Sequence, residues 1–345
     1  MLKQTMMRNL RLIAIILVVI VFALVPLFIT SPYRIDLLIS VIVHAVLAMT
    51  FVMCLKTGMI NMGISAFWGI GAYVSALMVM KLNMSFWLSL PLATLITAGI
   101  AVIFGYILIG SGSTGFAFVI LSAVIGMLFS TAVGSIKFVG GYAGIRNIPA
   151  PDPINLPLLP PIEFSVLNKT PFYYLALFLF IVIILIIKGL FASRIGRAWR
   201  AIGLNAPLGG SIGVNIFGYK MAVFVVSSAI AGLIGAFFAH YMGFVTPDAY
   251  GMWVNIYVQV YAILGGIGYL ILGPLLGSTL MTILPEFLRQ VQNIAPIILG
   301  IILILLILFM PNGLMGLVDS LKNFIIRRNN NSALGEKSAK SDITS

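Results

Sequence analysis

The sequence contains few side chains that could carry out acid–base or metal chemistry. The two histidines, His44 and His240, each stand alone, and the single cysteine, Cys54, lies inside an apolar run. No Cys/His set has the spacing of a metal site. The glycine-rich stretch at 110–115 lacks the lysine with which a phosphate-binding loop contacts a nucleotide. The sequence therefore predicts a chain that is not an enzyme, has no metal or cofactor, and does not bind ATP through that motif.

The composition places the chain in a membrane. Of its 345 residues, 61% are hydrophobic and only 8% are charged, whereas soluble domains carry about 25% charged residues. Apolar segments of about 18 or more residues recur, which is the length that crosses a ~30 Å hydrocarbon core. The fold class is therefore predicted to be all-α and polytopic. The net charge of +12 is better explained by anchoring to anionic lipid than by binding nucleic acid.

About ten segments are long and apolar enough to be transmembrane helices. We expect a single transmembrane domain over 1–325, followed by a polar and disordered cytoplasmic tail over 326–345. The predicted spans are 12–30, 35–55, 59–80, 86–110, 115–135, 171–190, 217–241, 250–270, 272–291 and 295–313. The first of them starts like a signal peptide but is longer and lacks an A-x-A site, so we expect it to be retained.

The distribution of basic residues orients these spans. With the N-terminus inside, most Lys and Arg residues fall on the cytoplasmic side, as the positive-inside rule requires. We therefore expect a multi-pass protein of the cell (inner or plasma) membrane with both termini cytoplasmic. In this arrangement the basic segment 191–216 is cytoplasmic, and the proline-rich segment 136–170 is the largest external loop.

Ionisable side chains are nearly absent from the middle of the predicted spans. Ion- or proton-coupled transporters usually keep such a group at mid-membrane. His44 is the one candidate in the first half, and it is more simply explained as a packed side chain. The pattern favours a passage or scaffold that another protein powers, and a self-contained secondary transporter is the alternative.

Two predicted spans are interrupted by glycines, at 58–73 ("GMINMGISAFWGIGAY") and at 264–277 ("LGGIGYLILGPLLG"). Matching interruptions in two halves of a transporter often mark its binding region, although glycines also allow helices simply to pack closely. The candidate translocation-pathway residues are Gly58, Asn61, Gly63, Ser65, Phe67, Gly71, Tyr73, Gly265 and Gly266.

The segment 193–215, "SRIGRAWRAIGLNAPLGGSIGVN", has three arginines and no acidic residue. The spacing of Arg197, Arg200 and Ala201 places them on one face of a helical turn. A second short helix is predicted near Pro207, with Asn205 as its cap and a glycine at its end. Such a helix could seat in a groove of a soluble partner. The alternative is a solvated basic loop that only follows the positive-inside rule.

Several stretches in order resemble the permease subunits of ABC importers for branched-chain amino acids, over about residues 35–318. The resemblance is to the subunit type with a long external loop after its fifth helix. The stretch 193–215 and its continuation to "PDAYG" carry it most strongly, followed by "LGGIGYLILGPLLG" and "LFMPNGLMGLV". "GMINMGISAFWGIGAY" and "GGYAGIRNIP" fit more loosely. Relatives of this family also carry urea, amides, sugars or nucleosides, so another small solute is the alternative substrate.

The resemblance implies a type II ABC importer permease fold of ten helices. It also implies four kinds of partner: a second homologous permease, two cytoplasmic ABC ATPases, an extracytoplasmic solute-binding protein and the lipid bilayer. The ATPase-coupling residues of the family fall on Arg194, Gly196, Arg197, Arg200, Ala201, Ile202, Asn205, Gly213, Val214 and Asn215. An external docking or gating element falls on Gly140, Gly141, Gly144 and Ile145, whose alternative role is a simple external turn.

The sequence departs from the family pattern in both motifs. An acidic residue usually follows the asparagine of the coupling motif, and two alanines often stand a little further on. In the first-half motif the family commonly has Gln, Ser, and His or Gln, which would make the passage more polar than it is here. The differing positions in this chain are Ala206, Gly209, Gly210, Met59, Asn61 and Ile64.

Overall fold

The computed structural model describes most of the predicted membrane domain. It covers residue 26 and residues 31–112, 115–153, 161–165, 168–211, 213–288, 294–310 and 313–316. The predicted first span, 12–30, lies almost entirely outside the described residues, and so does the tail 326–345.

The described residues include eleven α-helices and one two-stranded sheet. Long apolar runs with few charges form the long helices, because only a helix satisfies its own backbone groups in lipid. The helices are α1 (Pro32–Leu55), α2 (Ile64–Leu82), α3 (Phe86–Gly110), α4 (Phe116–Ser135), α5 (Thr170–Ala192), α6 (Arg194–Leu204), α7 (Ala206–Ser211), α8 (Ile216–Met242), α9 (Met252–Gly265), α10 (Leu272–Phe287) and α11 (Ala295–Phe309). The strands are β1 (Ile145–Arg146) and β2 (Phe244–Val245).

Six of these helices, α1 to α5 and α8, are long and apolar enough to cross a membrane. Three further predicted spans correspond to the shorter helices α9, α10 and α11, of 14, 16 and 15 residues. The prediction of an all-α, polytopic membrane protein is confirmed. The span predicted at 59–80 was wrong at its start, because α2 begins only at Ile64 and the five residues before it are not helical.

Helix α8 lies in the centre and packs against α1, α2 and α3. Glycines allow this close approach: a Cβ at Gly71 would lie 2.0 Å from the carbonyl oxygen of Gly232. On the same pair of helices, a Cβ at Gly235 would lie 2.0 Å from the carbonyl oxygen of Trp68. Small residues at such crossings bring backbones together, which is how membrane helices gain packing energy.

The helices leave two ends, which we name by their residues. The strand end carries β1, β2 and the 3₁₀ turn Pro247–Tyr250, and the basic end carries Lys56, α6 and α7. At the strand end β1 and β2 pair antiparallel, with Ile145 opposite Val245. Two irregular parts of the chain are therefore joined by backbone hydrogen bonds at this end.

The loop that precedes α5 is fastened to the strand end by side chains. The Asp152 carboxylate accepts hydrogen bonds from the Ser85 hydroxyl at 2.5 Å and from the Phe86 backbone N–H at 3.1 Å, so it caps the start of α3. His240 on α8 donates from Nδ1 to the Pro149 carbonyl oxygen at 2.7 Å. These contacts fix residues 145–152 against the helices α3 and α8.

Candidate functional site

Helix α6 is held firmly against the membrane helices. The Trp199 side chain is fully buried, and its indole N–H donates to the Tyr219 carbonyl oxygen at 2.8 Å. A Cβ at Gly196 would lie 2.4 Å from the backbone of Phe191, so only glycine fits there. The Ser193 hydroxyl caps the helix by accepting the Ile195 N–H at 3.2 Å. Thus α6 has a fixed position at the basic end.

The arginines of this segment have different surroundings. The Arg200 guanidinium donates to the Phe191 carbonyl oxygen at 2.9 Å, which ties α6 back to the end of α5. Arg194 and Arg197 are exposed, and within the described part of the chain neither has a hydrogen bond or ion pair. The predicted shared face of Arg197, Arg200 and Ala201 therefore divides into an exposed cation, a structural contact and a half-buried methyl group.

Helix α7 is the short second helix that the sequence predicted. The Asn205 side-chain oxygen accepts the Leu208 N–H at 3.1 Å, so Asn205 caps it as expected. After it, Gly213 adopts a φ of +85°, and the Val214 N–H donates to the Gly209 carbonyl oxygen at 3.1 Å. The Asn215 side chain then caps α8 by accepting the Gly218 N–H at 3.0 Å. The predicted coupling residues thus form one continuous α6–α7 segment, residues 194–211 with the turn 213–215.

The α6–α7 segment exposes large apolar side chains. Leu204 is 90% exposed and Leu208 is 62% exposed, on either side of the Asn205 cap. Ile202, which the sequence also placed in the motif, is instead buried. Apolar side chains presented together in this way are typical of a surface that a partner covers.

The segment also contacts the rest of the basic end. A Cβ at Gly203 would lie 2.0 Å from the Lys56 carbonyl oxygen, at the end of α1. The Lys56 ammonium donates to the Gly268 carbonyl oxygen at 2.9 Å, in the turn between α9 and α10. Burial lowers the pKa of Lys56 from its ordinary value. Three elements, α1, α6 and the α9–α10 turn, therefore meet at Lys56.

The start of α2 carries a buried polar cluster. The Asn61 side chain is 1% exposed; its oxygen accepts the Gly63 N–H at 2.9 Å, and its Nδ2 has no hydrogen-bond partner within geometric limits among the residues that the structure describes. The Met62 N–H donates to the Ser122 hydroxyl of α4 at 3.0 Å. Side chains therefore satisfy the opened backbone ahead of α2, as the asparagine in this motif suggested.

A second pair in this cluster links parts of the chain that are far apart in sequence. The Ser65 N–H donates to the Asn255 side-chain oxygen at 2.8 Å, and the Asn255 amide donates to the Ser65 hydroxyl at 2.6 Å. Sequence reasoning missed Asn255 and Ser122 as site residues. An amide inside an otherwise apolar span was the available signal for Asn255, because buried polar groups in membranes need partners.

The other predicted pathway residues are packing positions. Phe67 is buried with its ring edge-on to Phe104 and Phe224. Tyr73 packs beside Phe129 and Tyr250, and its hydroxyl has no hydrogen-bond partner in the described part of the chain. The glycines lie in separate places, which are the α2–α8 crossing for Gly71, the turn after α1 for Gly58, and the α9–α10 contact for Gly265 and Gly266. The structure therefore does not gather all the predicted residues around one cavity.

The predicted external element lies at the strand end. Gly140, Gly141 and Gly144 all have positive φ, and Ile145 is buried in β1. A Cβ at Gly144 would lie 1.9 Å from the Val245 carbonyl oxygen, so this glycine is required by the β1–β2 contact. The element is a rigid turn, and the ring of Tyr142 beside it is exposed.

These features define a polytopic membrane protein, since the chain combines apolar spanning helices with a polar cluster inside them and an exposed segment at one end. The family model described as "Branched-chain amino acid transport system / permease component" matches residues 33–310. The chain belongs to this family. It is accordingly a multi-pass, non-enzymatic transport component of the membrane.

Curated relatives agree with this assignment. The high-affinity branched-chain amino acid transport system permease protein LivM of Salmonella typhimurium is 26% identical over 306 residues, covering 84% of this chain and 71% of the relative. LivM of Escherichia coli K12 is 26% identical, covering 75% of this chain and 64% of the relative. The permease protein BraD of Pseudomonas aeruginosa is 29% identical over 158 residues, covering 44% of this chain and 51% of the relative. No solved structure gives a significant match.

Proposed function

We propose that the chain is the membrane-spanning permease subunit of an ATP-driven ABC importer for branched-chain amino acids. It forms the translocation pathway together with a second, homologous permease. Two cytoplasmic ABC ATPases power the complex, and an extracytoplasmic solute-binding protein delivers the substrate. The names of the relatives support the substrate, and another small solute such as urea, an amide, a sugar or a nucleoside is the alternative.

The observation that carries this proposal is the exposed surface of the α6–α7 segment. Leu204, Leu208 and the cation of Arg197 are all exposed on a segment whose first helix, α6, is fastened to α5 and α8. An ATPase that binds this surface can transmit its movement to the membrane helices, because α6 is fixed to α5 and α8.

The same proposal sets the orientation and the external parts. The basic end faces the cytoplasm, together with both termini, in accord with the positive-inside rule. The strand end then faces outward, where the rigid turn at 140–145 gives the solute-binding protein a fixed surface to dock on. One permease domain extends over 1–325, with a separate tail over 326–345.

The pathway is proposed to pass the start of α2. The Asn61 amide, with its unpaired Nδ2, and the Ser65–Asn255 pair are the polar groups of the described residues buried there among apolar neighbours. Asn61→Leu removes this amide, whose Oδ1 accepts the Gly63 N–H. We expect the variant to impair uptake more than ATPase assembly, because Asn61 lies outside the α6–α7 segment.

A double variant tests the coupling surface. In Arg197→Glu with Leu208→Asn, we expect uptake to be lost and ATPase co-purification to fall at least about tenfold, since few interface residues carry most of the binding energy. Membrane insertion should be unchanged, because both side chains are exposed. The matched control is Lys137→Glu, an exposed charge change at the strand end. Normal uptake together with a normal ATPase ratio in the double variant would refute the coupling surface.

A further inference from the structure

A cavity of about 260 Å³ lies at the strand end between α1, the start of α5 and the end of α8. It is separate from the Asn61 cluster and from the α6–α7 segment. Its volume is below the range of about 300–1,000 Å³ that holds drug-sized ligands. The occupant that fits by size is therefore a small molecule.

The wall of this cavity carries one negative and one positive charge. Lys169 and Asp36 form an ion pair at 2.5 Å, and their side chains remain 23% and 32% exposed. The Tyr241 hydroxyl also donates to Asp36. One helical turn further along α1, the Ser40 hydroxyl lines the cavity and has no hydrogen-bond partner among the described residues. The cavity thus offers an anion, a cation and a free hydroxyl at close range.

Most of the remaining lining is apolar, with Ser165 and His240 as its polar side chains. Phe172, Ile148 and Met242 contribute to it. His240 also lines it, but its two ring nitrogens are already used by the Pro149 carbonyl oxygen and the Ser75 hydroxyl. A ligand in this cavity therefore meets both charged groups and hydrocarbon.

We propose that this cavity is a binding site for a free α-amino acid with an apolar side chain. The ligand ammonium pairs with Asp36 and the Ser40 hydroxyl, and the ligand carboxylate pairs with Lys169. Insertion replaces one ion pair by two, so no charge is left unpaired, which is the condition for placing charges in a partly buried site. The site rests on the proposed function, in that amino acids are the solute that reaches the strand end.

The experiment uses the complete transporter in lipid nanodiscs, without the solute-binding protein, and measures equilibrium binding. The probes are L-leucine, isoamylamine, which lacks the carboxylate, and 4-methylpentanoate, which lacks the ammonium. The wild type should bind leucine about tenfold or more tightly than either analogue, because each analogue loses one charge-assisted contact.

Three variants assign the contacts. Lys169→Met should abolish the preference for leucine over isoamylamine, and Asp36→Asn should abolish the preference over 4-methylpentanoate. Ala150→Phe fills the cavity while keeping the ion pair, so it should bind none of the probes. The control Lys137→Met, whose side chain lies outside the cavity, should bind as the wild type does.

The outcomes separate the two proposals. If leucine binds no more tightly than its analogues, or if the three variants keep the wild-type affinity, the site is refuted. ATP-dependent leucine uptake by the wild type is measured in parallel with the solute-binding protein present. If the wild type takes up leucine but the cavity does not bind it, the site alone is overturned. If the wild type binds its ATPases but takes up no leucine, the substrate of the proposed function is overturned.

Discussion

The loop at 136–152 and the α6–α7 segment are both irregular connections between spanning helices, yet they are built differently. The loop is tied to its surroundings along its length, by the β1–β2 pairing, by Asp152 and by His240. The α6–α7 segment is anchored through α6, whereas α7 is held by its own caps and exposes Leu208. A connection that is tied throughout serves as a fixed surface, and one that is half free leaves room for a partner.

Two glycines that both have positive φ give the sharpest test of this difference. Gly144 and Gly213 both have positive φ, but a Cβ at Gly144 would lie 1.9 Å from the Val245 carbonyl oxygen, while nothing lies within 4 Å at Gly213. We expect Gly144→Ala to destabilise the chain by about 3 kcal/mol or more, from backbone strain plus overlap. Gly213→Ala should cost about 1 kcal/mol from strain alone. Thermal unfolding of the purified variants measures both, and equal losses would contradict the comparison.

Removing a helix cap should have the next largest effect, and this effect should differ between the two regions. Asp152→Ala removes the cap of α3, a spanning helix, and should lower the free energy of unfolding by about 1 kcal/mol. Asn205→Ala removes the cap of the six-residue α7, and we expect faster amide exchange confined to α7 with no change in global unfolding. Hydrogen exchange with mass spectrometry distinguishes these results. A loss of global stability in Asn205→Ala would show that α7 is tied to the rest of the chain as firmly as the loop is.

The smallest effect concerns the paired glycines of α7. A Cβ at Gly209 would lie 4.0 Å from the Ile202 Cγ1 atom, so alanine fits there without moving a neighbour. Gly209→Ala should stabilise the helical conformation of α7 by up to about 1 kcal/mol and leave uptake unchanged. Gly210→Ala is the control, because its Cβ would lie 3.1 Å from the Ile216 Cδ1 atom. Reduced uptake in Gly209→Ala alone would mean that the buried backbone of Gly209 has no room for a methyl group.

Much of the fold could be predicted from hydropathy. The predicted span 86–110 agrees with α3 at both ends, and 217–241 differs from α8 by one residue at each end, because both runs are strongly apolar overall. The span at 59–80 began too early, since hydropathy does not register that Gly58 turns the chain and that Asn61 holds an opened backbone. The short helix α7 and its Asn205 cap were predicted, because capping depends on neighbouring residues.

The contacts that define the sites were harder to predict. Ser65 and Asn255 are 190 residues apart, and Asp36 and Lys169 are 133 apart. Periodicity and composition report on local structure, so they contain no information on which distant polar groups meet. Asn255 stood out only as an amide in an apolar run, and Asp36 only as an acid near a helix end.

The α2–α8 crossing has a consequence for how the transporter moves. Because Gly71 lies against the Gly232 carbonyl and Gly235 lies against the Trp68 carbonyl, the two helices interlock and cannot glide past each other without a backbone collision. The two helices therefore have almost no freedom to move relative to each other. We expect α2 and α8 to move together as one unit when the passage opens and closes.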